Sequence, residues 1–305
     1  MQKEILVFGA ANVDFIIKSY KLPQKGEEIG GGQFKQTVGG KGVNQAISVA
    51  RANGLVTFIG SVGDDIYSDK IVLDLMEAGV NTSHIILTPE IDSGVAMILV
   101  DEDGGNMISL AEGANAHFDS TKMNELDDIL FTNAGMALVQ MSIPFETIEA
   151  LIEKCYTNDL PLVMNLAPAV KLRKELFEKV YFLIINEVEC EFLTGVYPAD
   201  FNSIQEAESL LKELGVNQCI INLGEKGTAY YTKEGQRGLI ESYKVENVDS
   251  TSAGDSFIGY FMTKLNQGAG VEEAIKYGNA AGALAVTKFG TQSSIPRLED
   301  VENML

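Results

Sequence analysis

Positive charge is scarce in this chain. Its 305 residues carry 23 Lys plus Arg against 43 Asp plus Glu, a formal net charge of −20 at pH 7. Such an acid excess argues against nucleic acid or an anionic membrane as the main partner. Cysteine is scarce too: Cys155, Cys190 and Cys219 are odd in number and far apart. They support neither a disulfide framework nor a Cys-x-x-Cys zinc site, which points to a reducing, cytoplasmic compartment. The histidines, His84 and His117, have no neighbouring ligands at a metal spacing and read as surface or packing residues. Long apolar runs are missing. The N-terminal Met-Gln-Lys-Glu leads only into Ile5 to Phe8, too short for a signal peptide or membrane span. The length allows one large or two ordinary domains. No linker rich in Pro, Ser or charge divides the chain and no fixed period repeats, so a single unit over 1–305 is expected.

What is present is 46% hydrophobic residues, enough for a sizeable core, and 30 glycines unevenly spread. Short apolar runs recur at Ile5–Phe8, Thr57–Ile59, Ala137–Val139, Leu162–Met164, Phe182–Ile185 and Cys219–Ile221. They have the character of strands buried on both faces. Helical patterns lie between and after them, at Val43–Asn53, Asp69–Ala78, Phe145–Asn158, Ile204–Leu214, Gly254–Gln267 and Val271–Lys288, with a short helix from Arg297. This alternation predicts an α/β fold, a doubly wound, mostly parallel sheet with helices on both faces. Two stretches break the rhythm, about 12–38 and 92–110, and predict a small extra β-sheet. The second reads as a hairpin turning at Asp103-Gly104, a dipeptide suited to positive φ. The acids Asp101 to Asp103 read as a solvated turn.

Candidate chemistry collects on loops after successive strands, where open parallel sheets place ligands. Gly39-Gly-Lys-Gly-Val-Asn44 leads into an apolar helix but lacks the Gly-Lys-Ser/Thr of a P-loop. It also fails the dinucleotide fingerprint, because Gln45 stands where the third glycine should be. A tight turn and a close backbone approach to a ligand both remain open for it. Ala253-Gly254-Asp255 opens a helix whose free N–H groups could face an anion. There Asp255 is either a helix cap or a general base. Asn186 and Glu189, three apart after a buried strand, suit either a hydrated Mg²⁺ or a helix start that favours acids. Gly224 and Gly227 mark a plain turn or a nucleotide seat. The ten methionines read as core filler and Cys190 as unreactive, while Glu272-Glu273 and Glu299-Asp300 read as acidic first turns.

Taken in order, these motifs resemble the ribokinase-like (PfkB) family of ATP-dependent sugar and nucleoside kinases. Gly9-Ala-Ala-Asn-Val-Asp14, Gly39 to Asn44, Glu112-Gly-Ala-Asn115, Asn165-Leu-Ala-Pro-Ala169, Ala253 to Asp255 and Gly290-Thr-Gln-Ser-Ser294 carry the likeness over essentially the whole chain. The resemblance implies that the small sheet is a lid, which in many relatives also makes a homodimer interface. It implies Asp255 as the base and the N–H groups of Ala253, Gly254 and Asp255 as the anion hole. Asn12, Asp14, Gly39, Gly40, Lys41, Asn44, Ser142 and Asp255 would surround the sugar, and Asn186, Asn222, Gly224, Gly227, Gly254 and Asn279 the nucleotide. Asn186 and Glu189 would act on Mg²⁺ through water. A monovalent cation, usually K⁺, would sit among Asp249, Thr251, Ala285, Lys288, Gly290 and Ser294.

Departures concern the substrate. The family's ribokinases carry Glu where this chain has Ser142, and usually Thr where it has Asn222. The expected activity is phosphorylation of a carbohydrate by Mg·ATP, with D-ribose at O5 leading. A nucleoside, fructose or keto-sugar acid is the alternative within the enzyme class. A non-catalytic sugar or nucleotide sensor is the alternative outside it, and the intact Asp255 weighs against that reading.

Overall fold

Strand and helix alternate from the first residues of the computed structural model, which describes residues 2–102 and 105–305. The expected reversal at Asp103-Gly104 lies outside the described residues. The strands are β1 (Ile5–Phe8), β2 (Asn12–Lys18), β3 (Gln33–Gly39), β4 (Val56–Gly63), β5 (Asn81–Thr88), β6 (Gly94–Val100), β7 (Asn106–Ala111), β8 (Met136–Gln140), β9 (Leu162–Asn165), β10 (Phe182–Asn186), β11 (Cys219–Asn222), β12 (Thr228–Tyr231) and β13 (Arg237–Ile240). The helices are α1 (Lys41–Arg51), α2 (Ile66–Glu77), α3 (Ser120–Asn124), α4 (Asp128–Asn133), α5 (Phe145–Thr157), α6 (Lys174–Phe177), α7 (Glu187–Thr194), α8 (Phe201–Glu213), α9 (Ala253–Asn266), α10 (Val271–Val286) and α11 (Leu298–Met304).

The large sheet runs β13-β12-β11-β10-β9-β8-β1-β4-β5. It is parallel from β5 to β11 and ends in the antiparallel pairs β11/β12 and β12/β13. Alternate side chains enter different cores: Leu6 and Phe8 of β1 belong to the core that holds Ile148, Leu151 and Leu211, whereas Ile5 and Val7 belong to the one that holds Ile47, Phe261 and Ile275. Helices therefore cover both faces, as the apolar runs predict. The expectation omitted β5, β12 and β13. In Asn81–Thr88 polar and apolar residues interleave at the sheet edge, and Arg237–Ile240 is largely exposed. Neither therefore shows the continuous apolar signature of a strand buried on both faces. Helix bounds differ from expectation by a few residues at most, the usual uncertainty of a terminal turn.

The chain moves outward from β1 in both directions, through β4 to β5 and through β8 to β11. A crevice forms at such a reversal, beyond the strand C-termini. The irregular stretches form the small sheet, ordered β3-β2-β6-β7. Its inner end, where Asn12 pairs with Gly39, leads directly into α1. That connection hangs the small sheet beside the crevice.

Two helices that begin at the crevice are pressed together. Ser48 of α1 donates its hydroxyl to the carbonyl of Ser256 in α9 at 3.0 Å. A Cβ built on Gly259 would stand 2.2 Å from Ser48 Oγ and 2.7 Å from the Ser48 backbone. Glycine is thus what permits this approach. In Gly259→Ala, alanine's better helix propensity favours the variant by about 1 kcal/mol, and overpacking opposes it by about 1–3 kcal/mol. Because backbone as well as side chain must shift, we expect a net loss of stability. Urea unfolding checks this; equal or greater stability would show that α1 and α9 separate freely.

Candidate active site

The site begins with backbone that only glycine supplies. Gly40 precedes α1 at φ 93°, and a Cβ there would stand 2.6 Å from the Ala10 carbonyl. At Gly39 a Cβ would lie 1.9 Å from Asp14 Oδ2, so the missing side chain makes room for that carboxyl group. Asp14 is 4% exposed. Burial, and secondarily the charge of Asp255, push its carboxyl up from 3.8 to about 7. Asn12 is oriented by Asn115, whose Nδ2 donates to Asn12 Oδ1 at 2.9 Å while its Oδ1 accepts the Ala11 N–H at 2.9 Å. These bonds leave the amide NH₂ of Asn12 available as a donor.

Asp255 lies in the first turn of α9, yet it caps nothing. Its Oδ2 accepts from Asn44 Nδ2 at 3.2 Å and its Oδ1 from Gln45 Nε2 at 2.9 Å. Both donors stand near the start of α1, which the Gly259 contact holds close. The capping alternative for Asp255 is therefore set aside. Ser252 precedes α9 in the left-handed region at φ 61°, and its side chain makes no capping bond. The N–H groups of Gly254 and Asp255 meet no acceptor among the described residues. The anion-hole expectation is corrected for Ala253, whose N–H already donates to Ser250 at 3.3 Å. A Cβ on Gly254 would meet nothing within 4 Å, so the protein's own packing does not require a glycine there.

Beside this helix start, the loops after β10 and β11 and one face of α10 enclose a cavity of about 650 Å³. Asn186, Glu189, Asn222, Gly224, Gly227, Ala253, Gly254, Asp255 and Asn279 all line it. Lys41, expected among the sugar residues, lines it too, and its charge bears on Glu189. Asn186 and Glu189 form a reciprocal capping box: Glu189 N–H donates to Asn186 Oδ1 and Asn186 N–H to Glu189 Oε2, each at 2.8 Å. The helix-start reading of this pair is therefore realised, and it leaves Glu189 Oε1 for other work. Burial raises the Glu189 carboxyl above its ordinary value, opposed by the Asn186 N–H and by Lys41. Asn279 has little left to offer a ligand. Its Oδ1 accepts from Thr228 at 2.6 Å and its Nδ2 donates to the carbonyls of Ile240 and Glu241.

The cation residues gather at one corner. Asp249 accepts from the N–H and hydroxyl of Thr251 and from the N–H of Gly290. Its own N–H reaches Val286 at the end of α10, beside Ala285, whose carbonyl accepts the Lys288 N–H. Ser294 donates to Thr291 in the same C-terminal loop. Ser142 does not line the cavity; its Oγ is buried without a partner among the described residues.

Sequence reasoning missed Gln45 and Gln140 as site residues, and named Asn165 only within a stretch that carries the family likeness. Gln45 entered only as the residue spoiling a dinucleotide motif, yet it is 0% exposed and bonded to Asp255. A signal was present: β8, β9, β10 and β11 each end on an amide, Gln140, Asn165, Asn186 and Asn222, where an apolar run stops.

Comparison with known proteins accords with this geometry. The family model described as pfkB family carbohydrate kinase matches residues 2–298. A ribokinase of Staphylococcus aureus is 35% identical, covering 100% of both chains. A deoxyribokinase of Salmonella typhi is 33% identical over 99% of this chain and 98% of its own. The structure of Arabidopsis thaliana ribokinase complexed with ribose and ATP superposes with a TM-score of 0.91 at 28% identity, covering 100% of this chain and 99% of that one. The chain belongs to the pfkB family of carbohydrate kinases.

The buried Asp14 makes stability depend on pH. Its folded-state carboxyl titrates near 7 against an ordinary 3.8, so folding favours the protonated form. Between those values the unfolded chain binds fewer protons than the folded one, and stability falls as pH rises. Above about pH 7 this contribution levels off. In Asp14→Asn this part of the decline should vanish. Chemical unfolding at pH 5, 6, 7 and 8 checks it, and parallel curves for the two proteins would contradict it.

Proposed function

We propose that this carbohydrate kinase phosphorylates ribose at O5 with ATP, Asp255 acting as the proton acceptor. The observation that carries the reading is Asp255 itself. Both of its oxygens are held by α1 amides, and it stands at an open helix N-terminus between the cavity and the buried Asp14. In the reaction, O5 attacks the γ-phosphorus and an O–P bond forms as the bond to the bridging β,γ oxygen breaks. ADP leaves with that electron pair, and the hydroxyl proton passes to Asp255. The N–H groups of Gly254 and Asp255 face the charge on the transferring group, helped by the positive end of α9. Lys41 adds a cation on the side of Glu189. Asn12, Asp14, Gly39, Gly40 and Asn44 would hold the sugar, where amide and carboxyl groups suit neighbouring hydroxyls. The ribose assignment is supported by the similarity to the Staphylococcus aureus and Arabidopsis ribokinases.

Mg²⁺ bound with the nucleotide phosphates would neutralise their charge. The residue that would hold it, through water, is Glu189, whose free Oε1 and partial burial suit an ion that keeps most of its waters. Among the described residues no cluster of three His, Cys, Asp or Glu side chains could hold a metal ion directly. A monovalent cation would fit the corner of Asp249, Thr251, Ala285, Lys288, Gly290 and Ser294, which offers oxygen donors suited to K⁺. Pairing of two copies through the small sheet is supported by the exposed Phe34, Met97, Met107, Ile108 and Leu110. No helix among the described residues is long and apolar enough to cross a membrane. A cytoplasmic setting is supported by three free thiols.

A second reading, deoxyribose, is favoured by one observation. Ser142 replaces the Glu implied by the resemblance, and its buried Oγ lacks a partner among the described residues. The Salmonella deoxyribokinase is nearly as similar as the Staphylococcus ribokinase.

Turnover with ATP, Mg²⁺ and K⁺ should be fastest on ribose among ribose, 2-deoxyribose, fructose and a nucleoside. A faster second sugar with ribose inert would overturn the ribose assignment and leave the kinase intact. Replacing Asp255→Asn should cut kcat about 10²–10⁴-fold while calorimetry still detects ATP binding. Unchanged turnover would remove Asp255 as the proton acceptor.

A further inference from the structure

The proton-accepting carboxylate is the last member of a chain of buried amides reaching back to the C-terminal end of β8. Gln140 Nε2 donates to Gln45 Oε1 at 2.6 Å. Gln45 Nε2 then uses its two hydrogens on Asp255 Oδ1 at 2.9 Å and Asn165 Oδ1 at 3.2 Å. Asn165 Nδ2 in turn reaches the Ile184 carbonyl at 3.3 Å. Gln45 and Gln140 are both 0% exposed, out of reach of bulk solvent.

The direction of the chain follows from charge. An ionised carboxylate only accepts, so Gln45 must present its NH₂ to Asp255. Its carbonyl then faces Gln140, which must donate. The price of this order is visible at the far end, where Gln140 Oε1 is buried with no partner among the described residues. That oxygen lies where a Cβ on Gly9 would come within 2.0 Å of it. A buried acceptor left unmade is costly, which marks the order as imposed by the carboxylate rather than by the glutamines' own satisfaction.

Neighbouring charges give the chain something to do. Asp14 from β2 bears on Asp255 directly, while Lys41 from α1 and Glu189 from α7 line the same cavity. Burial and the Asp255 charge favour the neutral form of Asp14, which receives no hydrogen bond among the described residues. Of the two carboxyl groups, the one with amide donors is the one suited to carry the charge.

We propose that Gln45, locked by Gln140, is a positioning residue that holds Asp255 ionised and aimed at the attacking hydroxyl. This rests on Asp255 being the proton acceptor. In Gln45→Met, a change of similar length without donors, kcat should fall about 10- to 100-fold, with KM for ATP within about twofold because the nucleotide cavity is untouched. The acidic limb of the kcat–pH profile should move to higher pH. In an Asp255→Asn background the same substitution should change the residual kcat by less than about twofold, since its target is already gone. Should Gln45→Met fail to unfold cooperatively, Gln140→Met carries the test, with a smaller loss and the same direction of pH shift. Two results overturn the inference: kcat within about twofold of wild type with an unmoved pH profile, or an equal fractional loss with and without Asp255. If Asp255→Asn alone keeps its turnover, the proton-acceptor reading fails and takes this inference with it. If Asp255→Asn is dead and Gln45→Met is fully active, only this inference falls.

Discussion

The paired bonds from Asn44 and Gln45 to the Asp255 carboxylate organise the whole site. They are possible only because α1 and α9, just over 200 residues apart in the chain, begin at the same crevice and cross closely at Gly259 and Ser48. One side of that crossing leads through Gly39 and Gly40 to the small sheet and Asp14. The other leads through Ser252 and the open first turn of α9 to the nucleotide cavity. Hydrogen bonds to a charged group are roughly twice as strong as neutral ones. A pair of them at a helix start can therefore hold a carboxylate that would otherwise turn to cap its own helix.

A net charge of −20 is a poor general setting for phosphate chemistry. The answer is local, and it works by subtraction as much as by addition. Asp14 is buried and shifted toward its neutral form, so two nearby carboxyl groups need not present two negative charges. The N–H groups of Gly254 and Asp255, the end of α9 and Lys41 then supply positive potential on the side where phosphate would lie. Long-range repulsion from distant surface acids is screened within about 10 Å at ordinary ionic strength. Close fixed dipoles therefore decide the matter.

Much of this was legible from residues alone, and unevenly so. The central strands were readable because burial on both faces leaves unbroken apolar runs such as Ile5–Phe8 and Phe182–Ile185. β5 and β13 were not, because a strand at or near an edge mixes polar and apolar residues. Gly39, Gly40, Asn44, Glu189, Gly254 and Asp255 could be singled out by their local glycine and helix-start contexts. Which alternative held at each required contacts that no local pattern encodes. Asp255 looked like a cap until its partners proved to be side chains of another helix. Asn186 and Glu189 suited either a hydrated Mg²⁺ or a helix start, and they form a capping box that leaves one carboxylate oxygen free. Gln45 had no local signature, and Gln140 and Asn165 only that of an amide ending an apolar run, since a buried amide gains its meaning from partners 95 and 120 positions away.

At the centre of the account are two neighbouring carboxyl groups, Asp255 held by the α1 amides and Asp14 shifted toward its neutral form by burial and by the charge of Asp255. Carbon-13 NMR of aspartate-labelled protein, titrated without ligands, reads this directly. The Asp14 carboxyl should titrate with a midpoint near 7, and the midpoint should fall in Asp255→Asn while staying above that of an ordinary aspartate, because burial remains. An Asp14 carboxyl titrating near 4 in both proteins would contradict the account.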